Sequence, residues 1–134
     1  MKRIFCFDLD GTITECSGFG LSEKNIPWQI LWIGLTIYRP KLRDSVVLLL
    51  KELKDSDTEI IIITKRPQEL EKITTSYLKK RGVLYDKIFF VGPGPDSDKK
   101  KIEKIKKENV DYFFDNNREI VKKAKEEGIV AFLI

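Results

Sequence analysis

Five short apolar runs, separated by amphipathic stretches, set the plan of this chain. Residues 3–7, 59–63, 87–91, 111–114 and 129–134 are rich in Ile, Val and Phe, and the second run is nearly all Ile. Runs of this kind suit strands buried on both faces, because a half-exposed strand would alternate apolar with polar. The stretches between them carry helical spacing instead. Residues 42–53 set Val46, Val47, Leu49, Leu50 and Leu53 on one broad apolar face. Residues 67–81 open on Pro67, suited to a first helical position, and stop before Gly82. Residues 98–108 are largely charged, with Ile102 and Ile105 as the buried stripe, and residues 117–127 end at Gly128, suited to a left-handed cap. Strands alternating with helices predict an α/β fold: a parallel sheet with helices on both faces. No internal repeat, low-complexity linker or second domain interrupts the pattern.

Open sheets of this type bind ligands beyond the carboxyl ends of their strands. That rule shortens the list of candidate residues to Asp8 and Asp10, Thr64 to Arg66, Gly92 to Lys101 with its turn-rich Gly92-Pro93-Gly94-Pro95 start, and Asp115 to Asn117. The first pair is the most informative. Asp8 and Asp10 follow the first apolar run directly and lead into Gly11 and Thr12. Two carboxylates placed there can share a hard divalent cation, and one of them can act as a nucleophile. Both properties point to phosphoryl-transfer chemistry.

Composition narrows the chemistry. The chain has no histidine, which excludes a His-based triad, a His-ligated zinc site and an imidazole proton shuttle. Acid–base work must fall to carboxylates or lysines. The formal charge of +4 is the balance of interleaved Lys and Glu, so stretches such as Lys99-Lys100-Lys101 read as solvated helix faces rather than a nucleic-acid footprint. Cys6 lies in an apolar run and Cys16 in a loop, with no signal-peptide pattern ahead of them. Reduced thiols in a cytoplasm are the expectation. Residues 26–38 hold Trp28, Trp32 and Tyr38 but are interrupted by Pro27 and Gln29, short of the roughly 20 apolar residues of a transmembrane helix. Packing on the domain is the expected role of this segment, with a surface-docking or lid role, or an aromatic wall for a base or sugar, as the alternatives.

Three stretches carry a family resemblance. Phe7-Asp8-Leu9-Asp10-Gly11-Thr12 resembles the first motif of the haloacid dehalogenase (HAD) superfamily of phosphatases. Ile61-Ile62-Ile63-Thr64-Lys65-Arg66-Pro67 resembles the second, and Tyr112-Phe113-Phe114-Asp115-Asn116-Asn117 the fourth. They occur in order, each at a strand end, and span nearly the whole chain. The resemblance implies a Rossmann-like α/β/α core with five parallel strands in the order 5-4-1-2-3 and the strand leading to Asp8 at the centre.

The same resemblance implies roles. Mg²⁺ would be held by Asp8, the Asp10 backbone carbonyl and Asp115, with Asn116 either a further ligand or an outer-shell group. Asp8 would attack phosphorus to give an aspartyl-phosphate, and Asp10 would protonate the departing alkoxide and later activate water. Asp10 also separates phosphoryl transfer from dehalogenation, since a halide leaves without a proton. Thr64 and Gly11 are expected at the phosphate, while Lys65 and Arg66 would either touch the phosphate or leaving group or face solvent. For the third-motif lysine, the stripe of Ile102 and Ile105 turns Lys100 away and leaves Lys101 and Lys99 on its flanks. Spacing to Asp115 favours Lys101 over Lys99. The fourth motif departs from the common pattern, which has two acids where this chain has Asp115 and Asn116.

Residues 1–134 are expected to form one HAD-like core, with residues 14–40 as a short flap too small for an independent cap. The expected substrate is a small-molecule phosphate ester, such as a nucleotide or sugar phosphate, in an open site. The rivals are a binding module that has lost turnover and a phosphotransferase or mutase. A transferase needs a cap that excludes water. A receiver domain would leave Asp10 unexplained.

Overall fold

The computed structural model describes residues 2–15 and 41–134. Five strands, β1 (Arg3–Phe7), β2 (Thr58–Thr64), β3 (Lys87–Phe90), β4 (Tyr112–Asp115) and β5 (Ala131–Leu133), form one parallel sheet in the order β3-β2-β1-β4-β5. Among the described residues four α-helices alternate with them: α1 (Asp44–Leu53), α2 (Glu71–Lys80), α3 (Ser97–Lys107) and α4 (Arg118–Glu126). This is a Rossmann-like α/β/α fold with the strand order expected from the sequence.

Successive strand residues point to opposite faces, and each face has its own core. Cys6, Ile61, Ile63 and Phe113 pack with Ile102 and Ile105 of α3 and with Ile120, Val121 and Ala124 of α4. Phe7, Ile60 and Ile62 pack on the other side with Val46 and Leu50 of α1 and Leu78 of α2. The run Ile60 to Ile63 is apolar throughout because helices cover both of its faces, and all four side chains are inaccessible to solvent. Burial of such a side chain stabilises by about 1.5–3 kcal/mol, and truncating Ile62 to Ala would cost about 2–5 kcal/mol.

The elements differ from the expected ones in ways that have physical causes. Pro67 does not open an α-helix: it precedes a short 3₁₀ turn, Gln68–Leu70, and α2 starts only at Glu71. Leu42 makes an isolated antiparallel bridge with Thr14, so α1 begins at Asp44 rather than residue 42. Leu49 lies at the margin of the α1 stripe and is 37% exposed, whereas Val46 and Leu50 are buried. At the sheet edge β5 shrinks to three residues, with Phe132 and Leu133 exposed. Asn117 lies outside α4 as its cap, accepting from the Glu119 and Ile120 amides at 2.9 and 3.4 Å.

Two features position a site. All strands run the same way, so their carboxyl ends share one rim. The winding direction reverses between β1 and β4, which opens a crevice at that rim between two strands that pair directly. The Glu15 amide donates to the Lys41 carbonyl at 2.8 Å. Most of the expected flap, including Cys16, Trp28, Trp32 and Tyr38, lies outside the described residues. Among the described residues no helix is long and apolar enough to cross a membrane.

Candidate active site

Strand register brings the fourth-motif acid to the first. Phe7 of β1 lies opposite Phe114 of β4, and the Asp8 amide donates to the Phe114 carbonyl at 3.0 Å. Asp8 and Asp115 therefore leave the sheet side by side, flanking the crevice. Both are buried, at 7% and 1% exposure.

Lys101 completes this cluster from α3. Its ammonium donates to Asp8 Oδ1 at 2.6 Å and to Asp115 Oδ2 at 2.9 Å, with the whole residue 1% exposed. Helical geometry explains the choice, since Lys101 lies beside Ile102 and Ile105 on the sheet-facing side, whereas Lys99 and Lys100 are exposed. One cation here faces two carboxylates. Burial pushes the Asp8 carboxyl up to about 7 against the pull of Lys101, and the charges of Asp115 and Asp10 add to the rise. Burial also opposes the Lys101 ammonium, but Asp8 and Asp115 outweigh it and hold the lysine above its usual range. Among the described charged partners, Asp8 once ionised, Asp115 and Lys101 leave this cluster one negative charge in excess.

The loop after β1 orders the rest of the pocket wall. Gly11 adopts φ +85°, and the amides of Thr12, Ile13 and Thr14 all donate to the Leu9 carbonyl at 3.2, 2.9 and 3.1 Å. This turn aims the Thr12 hydroxyl at Asp8 Oδ2, 3.2 Å away. Gly11, expected at the phosphate, donates its own N–H to Thr14 Oγ1 at 3.1 Å. Its carbonyl accepts from Arg43 at 3.3 Å.

Asn116 stands between the two carboxylates. One terminal amide atom lies 3.2 Å from both Asp8 Oδ2 and Asp115 Oδ1. Turned with nitrogen inward, the amide donates to both. Turned the other way, its oxygen joins theirs in a set of three hard donors, the chemistry that suits Mg²⁺. Excess negative charge and this donor set fit the cation implied by the sequence. Among the described residues no group of three or more His, Cys, Asp or Glu forms a metal cluster, so any cation here would rely on the Asn116 amide, backbone carbonyls or water.

The Asp10 side chain belongs to a second cluster. Arg66 donates from Nε to Asp10 Oδ2 at 2.9 Å and from Nη2 to Asp10 Oδ1 at 2.6 Å. Its third nitrogen, Nη1, donates to Thr74 Oγ1 of α2 at 3.0 Å. Arg66 is 8% exposed and turned onto Asp10 and Thr74, so it does not face solvent. Thr64, buried at the end of β2, accepts from the Arg66 amide at 3.1 Å. That bond uses the oxygen and leaves the hydroxyl proton for another acceptor. Lys65 pairs with Asp98 near the start of α3. Thr74 had no role in the sequence reading; its signal was a hydroxyl set in the apolar stripe of Leu70 and Leu78, four residues from each.

No protein-family model matches the chain. A nucleotidase from Clostridium acetobutylicum is 26% identical to it over 156 residues, covering 96% of this chain and 78% of that protein. Among solved structures, a chain of the Pnkp1/Rnl/Hen1 complex superposes with a TM-score of 0.74 at 21% identity, over 99% of this chain. The match takes in 45% of that chain, so the present chain spans less than half of its length. The HAD domain of the Legionella pneumophila effector protein Lem4 superposes with a TM-score of 0.63 at 15% identity, covering 86% of that chain. The fold is therefore of the haloacid dehalogenase type.

Proposed function

We propose that the protein is a Mg²⁺-dependent phosphatase that hydrolyses phosphate monoesters through an aspartyl-phosphate on Asp8. The observation that carries this reading is the convergence of Asp8, Asp115 and Lys101 at the crevice between β1 and β4, buried and short of positive charge. A dianionic ester repels a carboxylate nucleophile unless cations intervene. Asp8, Asp115, Asn116 and the Asp10 carbonyl are the groups that would hold Mg²⁺, which when bound supplies charge neutralisation at the phosphoryl oxygens.

The remaining work falls to the chain. Asp8 attacks phosphorus from its position at the centre of the sheet, and Lys101 offsets charge gathering on the transferring group. The Thr64 hydroxyl offers its proton to a phosphoryl oxygen. Asp10 gives a proton to the leaving alkoxide and then takes one from the water that releases phosphate. The nucleotidase relative makes a nucleoside monophosphate the first substrate to test, within the wider class of small phosphate esters. Free phosphate released from a nucleoside monophosphate and from 4-nitrophenyl phosphate should require Mg²⁺, stop with EDTA, and vanish in Asp8→Asn.

One feature favours a second reading. Asn116 stands where related phosphatases commonly have an acid, and a neutral amide holds a cation less strongly. A phosphate-binding module with little turnover would follow. Binding of phosphate by wild-type protein, without hydrolysis of any ester across Mg²⁺ and Mn²⁺, would favour that reading.

A further inference from the structure

We infer that Arg66 is a positioning residue for Asp10, clamping its carboxylate in the orientation from which it exchanges a proton with the leaving group. This inference rests on the phosphatase reading and adds a residue to it. Asp10 lies in a turn, part-exposed, two residues beyond Asp8. A carboxylate so placed can rotate about two side-chain bonds. The guanidinium fork removes that freedom by meeting both oxygens at once, at 2.9 and 2.6 Å.

The arginine is itself held at two further points, one on the guanidinium and one on its backbone. The third guanidinium nitrogen is bound to Thr74 of α2 at 3.0 Å, and the Arg66 amide is bound to Thr64 at the end of β2. Burial of Arg66 at 8% exposure leaves it little room to move. Asp10 is thus tied to β2 and α2 as well as to its own turn. Each carboxylate oxygen has two lone-pair sites, and the fork uses one on each, so a site remains for the transferred proton. In the first step the Asp8–phosphorus bond forms as the bond from phosphorus to the ester oxygen breaks. The electron pair of that bond stays on the departing oxygen, which takes the proton from Asp10, itself protonated from solvent before the ester binds on a lone pair that the fork leaves free.

Lysine cannot reproduce this arrangement, because a single ammonium is a point donor with no fork. The consequence is specific to leaving groups. A 4-nitrophenolate departs without a proton, whereas an alkoxide needs one. A merely structural role for Arg66 would lower activity on both classes alike.

The test measures kcat/KM for alkyl and 4-nitrophenyl phosphates with Mg²⁺ in wild type, Arg66→Lys, Thr74→Val and Asp10→Asn. This parameter reports the first irreversible step, so later hydrolysis of the aspartyl-phosphate does not blur it. Arg66→Lys should lose on the order of 100-fold on the alkyl ester and about threefold or less on the aryl ester. Adding Arg66→Lys to Asp10→Asn should cost nothing further on the alkyl ester. Thr74→Val keeps the arginine and should shift the alkyl-to-aryl ratio in the same direction by a smaller factor. It also serves if Arg66→Lys fails to fold. Equal losses on both esters, or an unchanged ratio in Thr74→Val when Arg66→Lys cannot be purified, would overturn the inference alone. Wild-type protein inactive on both esters would instead remove the phosphatase reading, and this inference with it.

Discussion

Two ionic clusters lie along one rim of this protein, one buried and one part-buried, and they are built differently. Around Asp10, one arginine meets one carboxylate with two bonds and gives its third nitrogen to Thr74. Charges cancel there, and donors match acceptors. Around Asp8, one lysine is shared with Asp115, at 2.6 and 2.9 Å, and one negative charge is left over. The matched cluster holds a side chain still. The unmatched one is incomplete without more positive charge, which is what a cation site requires before its ligand arrives. Charge balance, more than burial, sets them apart.

The largest expected effect breaks the unmatched cluster at its centre. Asp8→Asn should reduce phosphate release by at least about 10⁴-fold, because a neutral amide replaces the nucleophilic carboxylate. Phosphate release by this variant at even a tenth of the wild-type rate, measured with a coupled phosphate assay, would show that Asp8 is not the nucleophile.

Next comes Lys101→Met, which leaves Asp8 and Asp115 buried without their shared cation. In EDTA the loss of stability should be about 3–5 kcal/mol by urea unfolding. Added Mg²⁺ should recover part of it, since a second source of positive charge then reaches the same oxygens. The corresponding change at the matched cluster, Arg66→Met, should show no such recovery. Equal response of the two variants to Mg²⁺ would erase the contrast between the clusters.

The pH dependence sharpens the same contrast. In metal-free protein the Asp8 carboxyl is raised from 3.8 to about 7, so between those values the folded state binds a proton that the unfolded chain lacks. The contribution of Asp8 to stability therefore falls as pH rises through that window. Asp8→Asn should melt closer to wild type near about pH 5 and progressively above it near about pH 8 in EDTA. Mg²⁺ should reverse the trend in wild type, and its affinity by titration calorimetry should weaken as pH drops below about 7, where a proton competes for Asp8. Asn116→Asp should raise Mg²⁺ affinity by roughly tenfold in the same calorimetric experiment, through added charge.

The smallest effect lies outside both clusters. Asn117 caps α4 just after the fourth-motif pair, and Asn117→Ala should cost about 1 kcal/mol of stability. Its own amide donates to Asp115 Oδ1 at 2.9 Å through the backbone, which the substitution keeps. Mg²⁺ affinity should therefore stay within about twofold of wild type. A larger change would mean the cap helps to hold Asp115.

Much of this arrangement was legible along the chain, for reasons that particular residues make plain. The unbroken Ile60 to Ile63 run could only be a strand covered on both faces, and a sheet of such strands fixes where Asp8, Thr64 and Asp115 stand. Helical spacing to Ile102 and Ile105 was enough to turn Lys100 outward. What could not be read was set by tertiary partners. Nothing local to Arg66 tells that Asp10, 56 positions away, and Thr74 will take its three donor groups. The edge exposure of Phe132 and the 3₁₀ turn after Pro67 likewise depend on what packs beside them. The amide of Asn116 was seen as a deficit of charge; its place between two carboxylates appears only in three dimensions.

The most direct measurement is a chemical trap of the covalent intermediate. Asp10→Asn protein, mixed with Mg²⁺ and 4-nitrophenyl phosphate and quenched in acid, should carry one added phosphoryl mass on the peptide containing Asp8. Departure of the nitrophenolate needs no proton, while release of the phosphoryl to water lacks its base, so the adduct should accumulate. Steady turnover with no adduct on that peptide, or an adduct on any other, would contradict the assignment of Asp8 as the group that captures phosphorus.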